Sequence, residues 1–252
     1  MADIYVGSNT CPKVDNISCN PSDGHPYNLF LGPPTSYVSI VSSTFSCFGA
    51  ATIIITYVLF KELRTTTRSV ITFLAIADFV TALGYVIGGI NYLLYYKKSD
   101  QSRECVNFQA ICAIQSYITT WSQLSSFLWN CFLAFFLYIM IVYGKHKMAN
   151  GLITFFHFVA WLSPIAIALP LLITGYLGFS PYAASNWCFI KDTGYKYGEK
   201  IQHVQLLITL LAGKIPEILS YIFMIVFYSL TRCFIVSEHI KAICFCNYTS
   251  EL

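Results

Sequence analysis

The chain has 252 residues, of which 56% are hydrophobic and only 11% charged, with a mean hydropathy of +0.60. Soluble domains carry roughly 25% charged residues, and a water-soluble core of this size could not hide so much apolar surface, so a soluble globular protein is excluded. The net charge of +3 is dispersed and contains no basic run, which argues against nucleic acid as a partner and leaves membrane lipid as the solvent.

Residues 1–36 form a polar tail without the apolar stretch of a cleaved signal peptide. The first hydrophobic helix is therefore expected to act as an uncleaved insertion signal. Asn16-Ile-Ser18 is a glycosylation sequon, and Asn9-Thr-Cys11 is a poorer one. Cys11 and Cys19 could close a small loop or remain free thiols. The first span covers about 37–60 and is followed at once by Lys61, Arg64 and Arg68. The positive-inside rule then predicts an extracellular tail and a cytosolic 61–68 loop.

The second span, about 69–96, contains Asp78. A carboxyl group at mid-membrane costs roughly 2.5–3.5 kcal/mol on insertion scales, so it is expected to face the bundle or water. The third span, about 108–143, carries Cys112 near its start and then Ser116, Thr119, Thr120, Ser122, Ser125 and Ser126 among aromatics. Small hydroxylated residues let helices approach closely and bond across interfaces in lipid, which predicts the central helix of a bundle. Lys145-His-Lys147 is a very short inner loop.

The fourth span, about 150–174, holds His157, Trp161, Pro164 and Pro170. Its prolines are tolerable where neighbours satisfy the freed carbonyls, and His157 is expected to be a hydrogen-bonded packing residue rather than a ligand. A long loop with Trp187-Cys188 leads to the fifth span, about 203–232. There Lys214 and Glu217 sit three apart on one helical face. They form either a structural ion pair, the favoured expectation, or a docking point for an acidic ligand group. Residues 233–252 are too short and polar to cross a bilayer and are expected to be a cytosolic tail. Cys233, Cys244 and Cys246 in it could be palmitoylated. The fold expected is an all-α membrane protein, a bundle of five transmembrane helices.

Cys112 and Cys188 share the outer side of this topology, in an oxidising compartment, so a bridge between them is plausible, with Cys105 as a rival partner. Cys47 and Cys131 lie inside spans and read as packing residues.

Several segments together resemble seven-helix G-protein-coupled receptors, most closely the group joining the cyclic-AMP chemotaxis receptors with the secretin-like class. They are Phe73-Leu-Ala-Ile-Ala-Asp78, Cys112 with Gln115 and Ser125-Ser-Phe-Leu-Trp129, and Phe156-His157 with Trp161 and Pro164. Trp187-Cys188 and Leu211-Ala-Gly213-Lys214 with Glu217 and Tyr221 complete the set. The resemblance implies a Cys112–Cys188 disulfide, an extracellular N-terminus at the plasma membrane, an outward-facing pocket for an extracellular ligand and a heterotrimeric G protein on the cytosolic face. Asp78, Gln115, Lys214, Glu217 and Tyr221 become candidates for the ligand site or an interior polar network. The five spans would correspond to the first five of seven, which implies a chain truncated after helix five. A non-signalling partner that retains full-length receptor is the alternative, and a small transporter or channel the second alternative. No catalytic constellation is present: the chain has no His-Glu-x-x-His, paired aspartates or Gly-x-Ser-x-Gly, and no cofactor or metal is expected.

Overall fold

The computed structural model describes residues 33–97, 102–144, 146–178, 188–190 and 206–249. Asn16, Cys11, Cys19 and Trp187 lie outside these residues, as do the side chains of Cys105, Cys244 and Cys246. Among the described residues, five helices are long and apolar enough to cross a membrane. In lipid a helix satisfies its backbone internally, which is why unbroken apolar runs become helices here.

Helix α1 (Pro33–Leu59) begins on a proline pair, which suits a first turn whose N–H groups have no helical acceptor. Its far end is closed by Arg64, whose guanidinium donates to the carbonyls of Tyr57 (3.3 Å) and Val58 (2.7 Å). Those carbonyls would otherwise be orphans of the last turn. After a short 3-10 turn (Lys61–Leu63), α2 (Thr66–Lys97) starts with the Thr65 hydroxyl accepting from the Arg68 N–H.

Helix α3 (Ser102–Val142) has 41 residues. At 1.5 Å per residue it is about 60 Å long, twice the hydrocarbon thickness, so it must tilt or overhang. Gly144, at φ 60°, turns the chain into α4 (His146–Ile173). That helix ends at Gly175 (φ 73°), where the Tyr176 N–H bonds the Leu171 carbonyl and the Gly175 N–H that of Leu172. This paired pattern needs the left-handed backbone that glycine adopts without penalty. Two two-residue strands, β1 (Leu177–Gly178) and β2 (Phe189–Ile190), then pair antiparallel.

The last helix departs from a plain α-helix. A π turn spans Leu210–Lys214 and leads into α5 (Ile215–Thr249). Helix α5 continues past residue 232, where the fifth span was expected to end. Residues 233–249 contain no glycine or proline to interrupt the ladder.

Helix α3 is the hub: α2, α4, α5 and both strands pack on it, while α1 packs on α2. Its interior residues form one core with α2 and α4, in which Val70, Ala77, Trp129, Phe136, Phe156 and Ala160 are fully or almost fully buried. Close approach of α2 depends on glycine. A Cβ at Gly84 would strike the Thr119 hydroxyl, one at Gly88 would meet the Gln115 amide, and one at Gly89 would lie 2.6 Å from Ile40 of α1. Large apolar side chains such as Phe45, Phe48 and Ile225 point outward, as a lipid-facing surface requires.

Candidate functional site

The hydroxyls that marked α3 as central are put to several uses. Some bond back to their own helix, as Thr119 does to the Gln115 carbonyl (2.9 Å) and Ser125 to that of Trp121 (2.9 Å). Others cross to α2. Thr81 donates to the Ser122 hydroxyl at 2.8 Å, and the Tyr85 phenol donates to Gln123 Oε1 at 3.1 Å. Gln115 Nε2 donates to the Gly84 carbonyl at 2.9 Å. Ser126 donates to Asp78 Oδ1 at 2.5 Å, so the mid-membrane carboxyl faces the bundle.

At the Cys112 end of α3 the chain builds a cap. Cys112 and Cys188 form a disulfide, with their Cα atoms 5.3 Å apart and both residues buried. Cys105, the rival partner, does not take Cys188. One residue on, the Phe189 carbonyl accepts from the Ser116 hydroxyl at 2.6 Å. Pairing of Gly178 with Phe189 and of Leu177 with Ile190 ties the strand to the end of α4. The cap strand is thus held to α3 by a covalent bond and a hydrogen bond four residues apart, one helical turn. The Phe189 ring faces Gly213 of the π turn, where an added Cβ would lie 3.5 Å from its Cζ.

Beside that contact, Lys214 and Glu217 pair at 3.0 Å, the local ion pair expected of their spacing. Lys214 remains 64% exposed within a helix long and apolar enough to cross a membrane, so the pairing lowers the cost of carrying two charges in the span. The candidate residues do not gather into one network. Gln115 and Ser126 are eleven residues apart on α3, about 16 Å along its axis, which separates Gln115 from Asp78. Tyr221 is 50% exposed on α5 and lies outside the helix interfaces.

His157 is a packing residue, but through its ring. It lies edge-on to Phe73 at 4.2 Å and to Trp129 at 5.0 Å. Trp121 Nε1 donates to the Trp161 carbonyl at 3.1 Å, next to the turn of α4 that Pro164 disturbs. Phe189, Tyr85, Gln123 and Thr81 carry the cap and the α2–α3 seam without having been singled out beforehand. The Gly84-x-x-x-Gly88 spacing, a known signature of close membrane-helix contact, is the signal that points to that seam. Among the described residues no three His, Cys, Asp or Glu side chains gather as a metal site.

The family model described as slime mold cyclic AMP receptor matches residues 34–229. The chain is 28% identical over 211 residues to human (Homo sapiens) G-protein coupled receptor 157, covering 83% of this chain and 57% of that one. It is 32% identical to the cyclic AMP receptor-like protein A of Dictyostelium discoideum, over 60% of this chain and 35% of the relative. It is 29% identical to G-protein coupled receptor 1 of Arabidopsis thaliana, over 62% and 41%. The matches to the human, rat and mouse receptors cover between 57% and 60% of their length. With its five apolar helices and a match that runs from the first helix into the last, this multi-pass membrane protein belongs to the slime mold cyclic AMP receptor family.

Proposed function

We propose that the chain is the ligand-facing part of a plasma-membrane receptor that, in its full-length form, passes an extracellular signal to a heterotrimeric G protein. The observation that carries this is the cap. A strand fastened to the hub helix by Cys112–Cys188 and Ser116 pairs with β1, which follows α4, and faces Gly213 of the π turn, so a ligand resting there meets chain from three helical regions at once. Coupling of that kind is a difference in ligand affinity between two bundle arrangements. The names of the relatives, receptors coupled to G proteins or like a cyclic AMP receptor, support the same assignment. Lys214 beside the cap is the candidate contact for a ligand's acidic group, paired with Glu217, and Gln115 is a further polar candidate on α3. Asp78 lies deeper, as an interior polar position rather than a ligand contact.

The orientation proposed puts the Cys112 end and Asn16 outside, supported by Lys61, Arg64 and Arg68 after α1. Glycosidase treatment is expected to increase the gel mobility of the wild-type chain and not of Asn16→Gln. Unchanged mobility, with the tail protected from protease on intact cells, would contradict that orientation.

Signalling is tested by guanine-nucleotide exchange on heterotrimeric G proteins in cell membranes. The protein assayed is this chain continued by the remaining length of human G-protein coupled receptor 157, with cell-surface expression measured alongside. Exchange several-fold above background, lost in Cys112→Ser, is the expected result. Background exchange from a chimera that reaches the surface would contradict the proposal.

In a second reading the outer faces of α1 and α5, where Phe45, Tyr221 and Ile225 are exposed, meet a full-length receptor instead of lipid. There the five-helix chain associates with full-length receptor and retains it. Co-purification with full-length receptor and loss of the receptor from the cell surface would support this reading. Unchanged surface receptor would reject it.

A further inference from the structure

The π turn at Leu210–Lys214 is the one place among the described helices where the hydrogen-bond ladder slips by a residue, with the Ile215 N–H reaching the Leu210 carbonyl. The local sequence permits the slip. Pro216 has no N–H, so the ladder is already interrupted on the C-terminal side of the turn, and Gly213 keeps the widened turn free of side-chain bulk. Neither feature demands the slip, because proline and glycine also occur in ordinary kinked membrane helices. A π turn is a poorer hydrogen-bonding solution than the α-helix and persists where tertiary contacts hold it, often at functional positions.

The tertiary contact here is the cap. A Cβ built on Gly213 would lie 3.5 Å from Phe189 Cζ, ordinary van der Waals distance, so the ring faces the widened turn at the spacing a methyl group would fill. Phe189 in turn cannot drift. Its carbonyl is bonded by Ser116, and its neighbour Cys188 is covalently fixed to α3. The next charged group along the helix is Lys214, paired to Glu217 within the same turn of α5.

We propose that Phe189 and the π turn form a joint in which the tethered cap strand sets the register of the last helix. With the ring seated on Gly213 the helix keeps its extra residue. With the ring lifted it relaxes towards the α register, turning Leu206–Thr209 by about 100° and shifting it about 1.5 Å relative to the helix below. Whatever moves the cap is thereby converted into rotation of a membrane helix, a discrete two-state motion rather than a graded one. Phe189 and Gly213 are positioning residues in this device. The joint concerns regulation of the receptor proposed above. Its test reads geometry and not nucleotide exchange, so either can fail without the other.

The experiment places ketone-bearing unnatural residues at Leu207 and Ile222, both exposed and on opposite sides of the turn. They are coupled to spin labels so that the native cysteines are untouched. Interlabel distances are measured in lipid nanodiscs for the wild-type chain, Phe189→Ala, Phe189→Leu and a chain lacking Ala212, which fixes the α-register reference. The wild-type chain is expected to give one distance, Phe189→Ala a second population at the reference distance, and Phe189→Leu the wild-type distribution. If the deletion does not fold, a second population in Phe189→Ala alone still supports the joint. A Phe189→Ala distribution that superimposes on wild type overturns it.

Discussion

The seam between α2 and α3 and the outer face of α5 are both parts of membrane helices, yet they are built from opposite chemistry. In the seam the side chains are small or hydroxylated: Gly84 and Gly88 admit Thr119 and Gln115, and Thr81, Ser122, Ser126 and Asp78 bond across the gap. On the last helix, from the turn before the π turn into α5, the exposed residues are Leu207, Leu211, Ile218, Ile222 and Ile225, which need only lipid. In water the large apolar residues would mark the interior. In lipid they lose that meaning, and glycine and serine become the markers of protein–protein contact.

That contrast can be broken by paired substitutions, compared by thermal unfolding in nanodiscs. Trp129→Ala in the α2–α3–α4 core should cost about 3–5 kcal/mol. Phe45→Ala, at a residue 73% exposed on α1, should stay within about 0.5 kcal/mol. Equal losses would mean that the lipid-facing surface has been misplaced. Cys112→Ser should cost about 2–4 kcal/mol by releasing a loop whose ends are 76 residues apart in sequence. Its effect should match that of Cys188→Ser, and the double variant should add little to either.

Gly84→Val sharpens the comparison further. Its side chain collides with Thr119 and should cost about 1–3 kcal/mol, whereas Gly49→Val on the open face of α1, where nothing lies within 4 Å of an added Cβ, should cost no stability through packing. Ser126→Ala strips Asp78 of its hydrogen-bond donor on α3 and should cost about 1–2 kcal/mol.

The sequence carried the features that depend on composition along one helix. Five apolar runs, the hydroxyl-rich α3, and the Lys214–Glu217 spacing each announce themselves without knowledge of any neighbour. What stayed hidden depends on how two helices are set against each other. Nothing along the chain says that Asp78 meets Ser126 rather than Ser122 or Ser125, since all three lie within one turn and a half of α3. Tyr221 reads like an interior residue by its type and proximity to Glu217, yet the rotation of α5 turns it outward. The π turn alters that rotation, and although Gly213 and Pro216 were visible, neither dictates it. His157 was readable as a packing residue, but its partners Phe73 and Trp129 come from two other helices. The extension of α5 beyond residue 232 follows from an absence of breakers, which outweighed the polarity that suggested a tail.

The cap fastened to the hub helix is tested most directly by mapping disulfides in unreduced protein taken from cell membranes. After alkylation of free thiols and proteolysis, mass spectrometry should recover a Cys112 peptide covalently joined to a Cys188 peptide. Recovering both cysteines alkylated, or Cys188 joined to Cys105, would contradict the tether on which the cap, the joint and the proposed ligand site all depend.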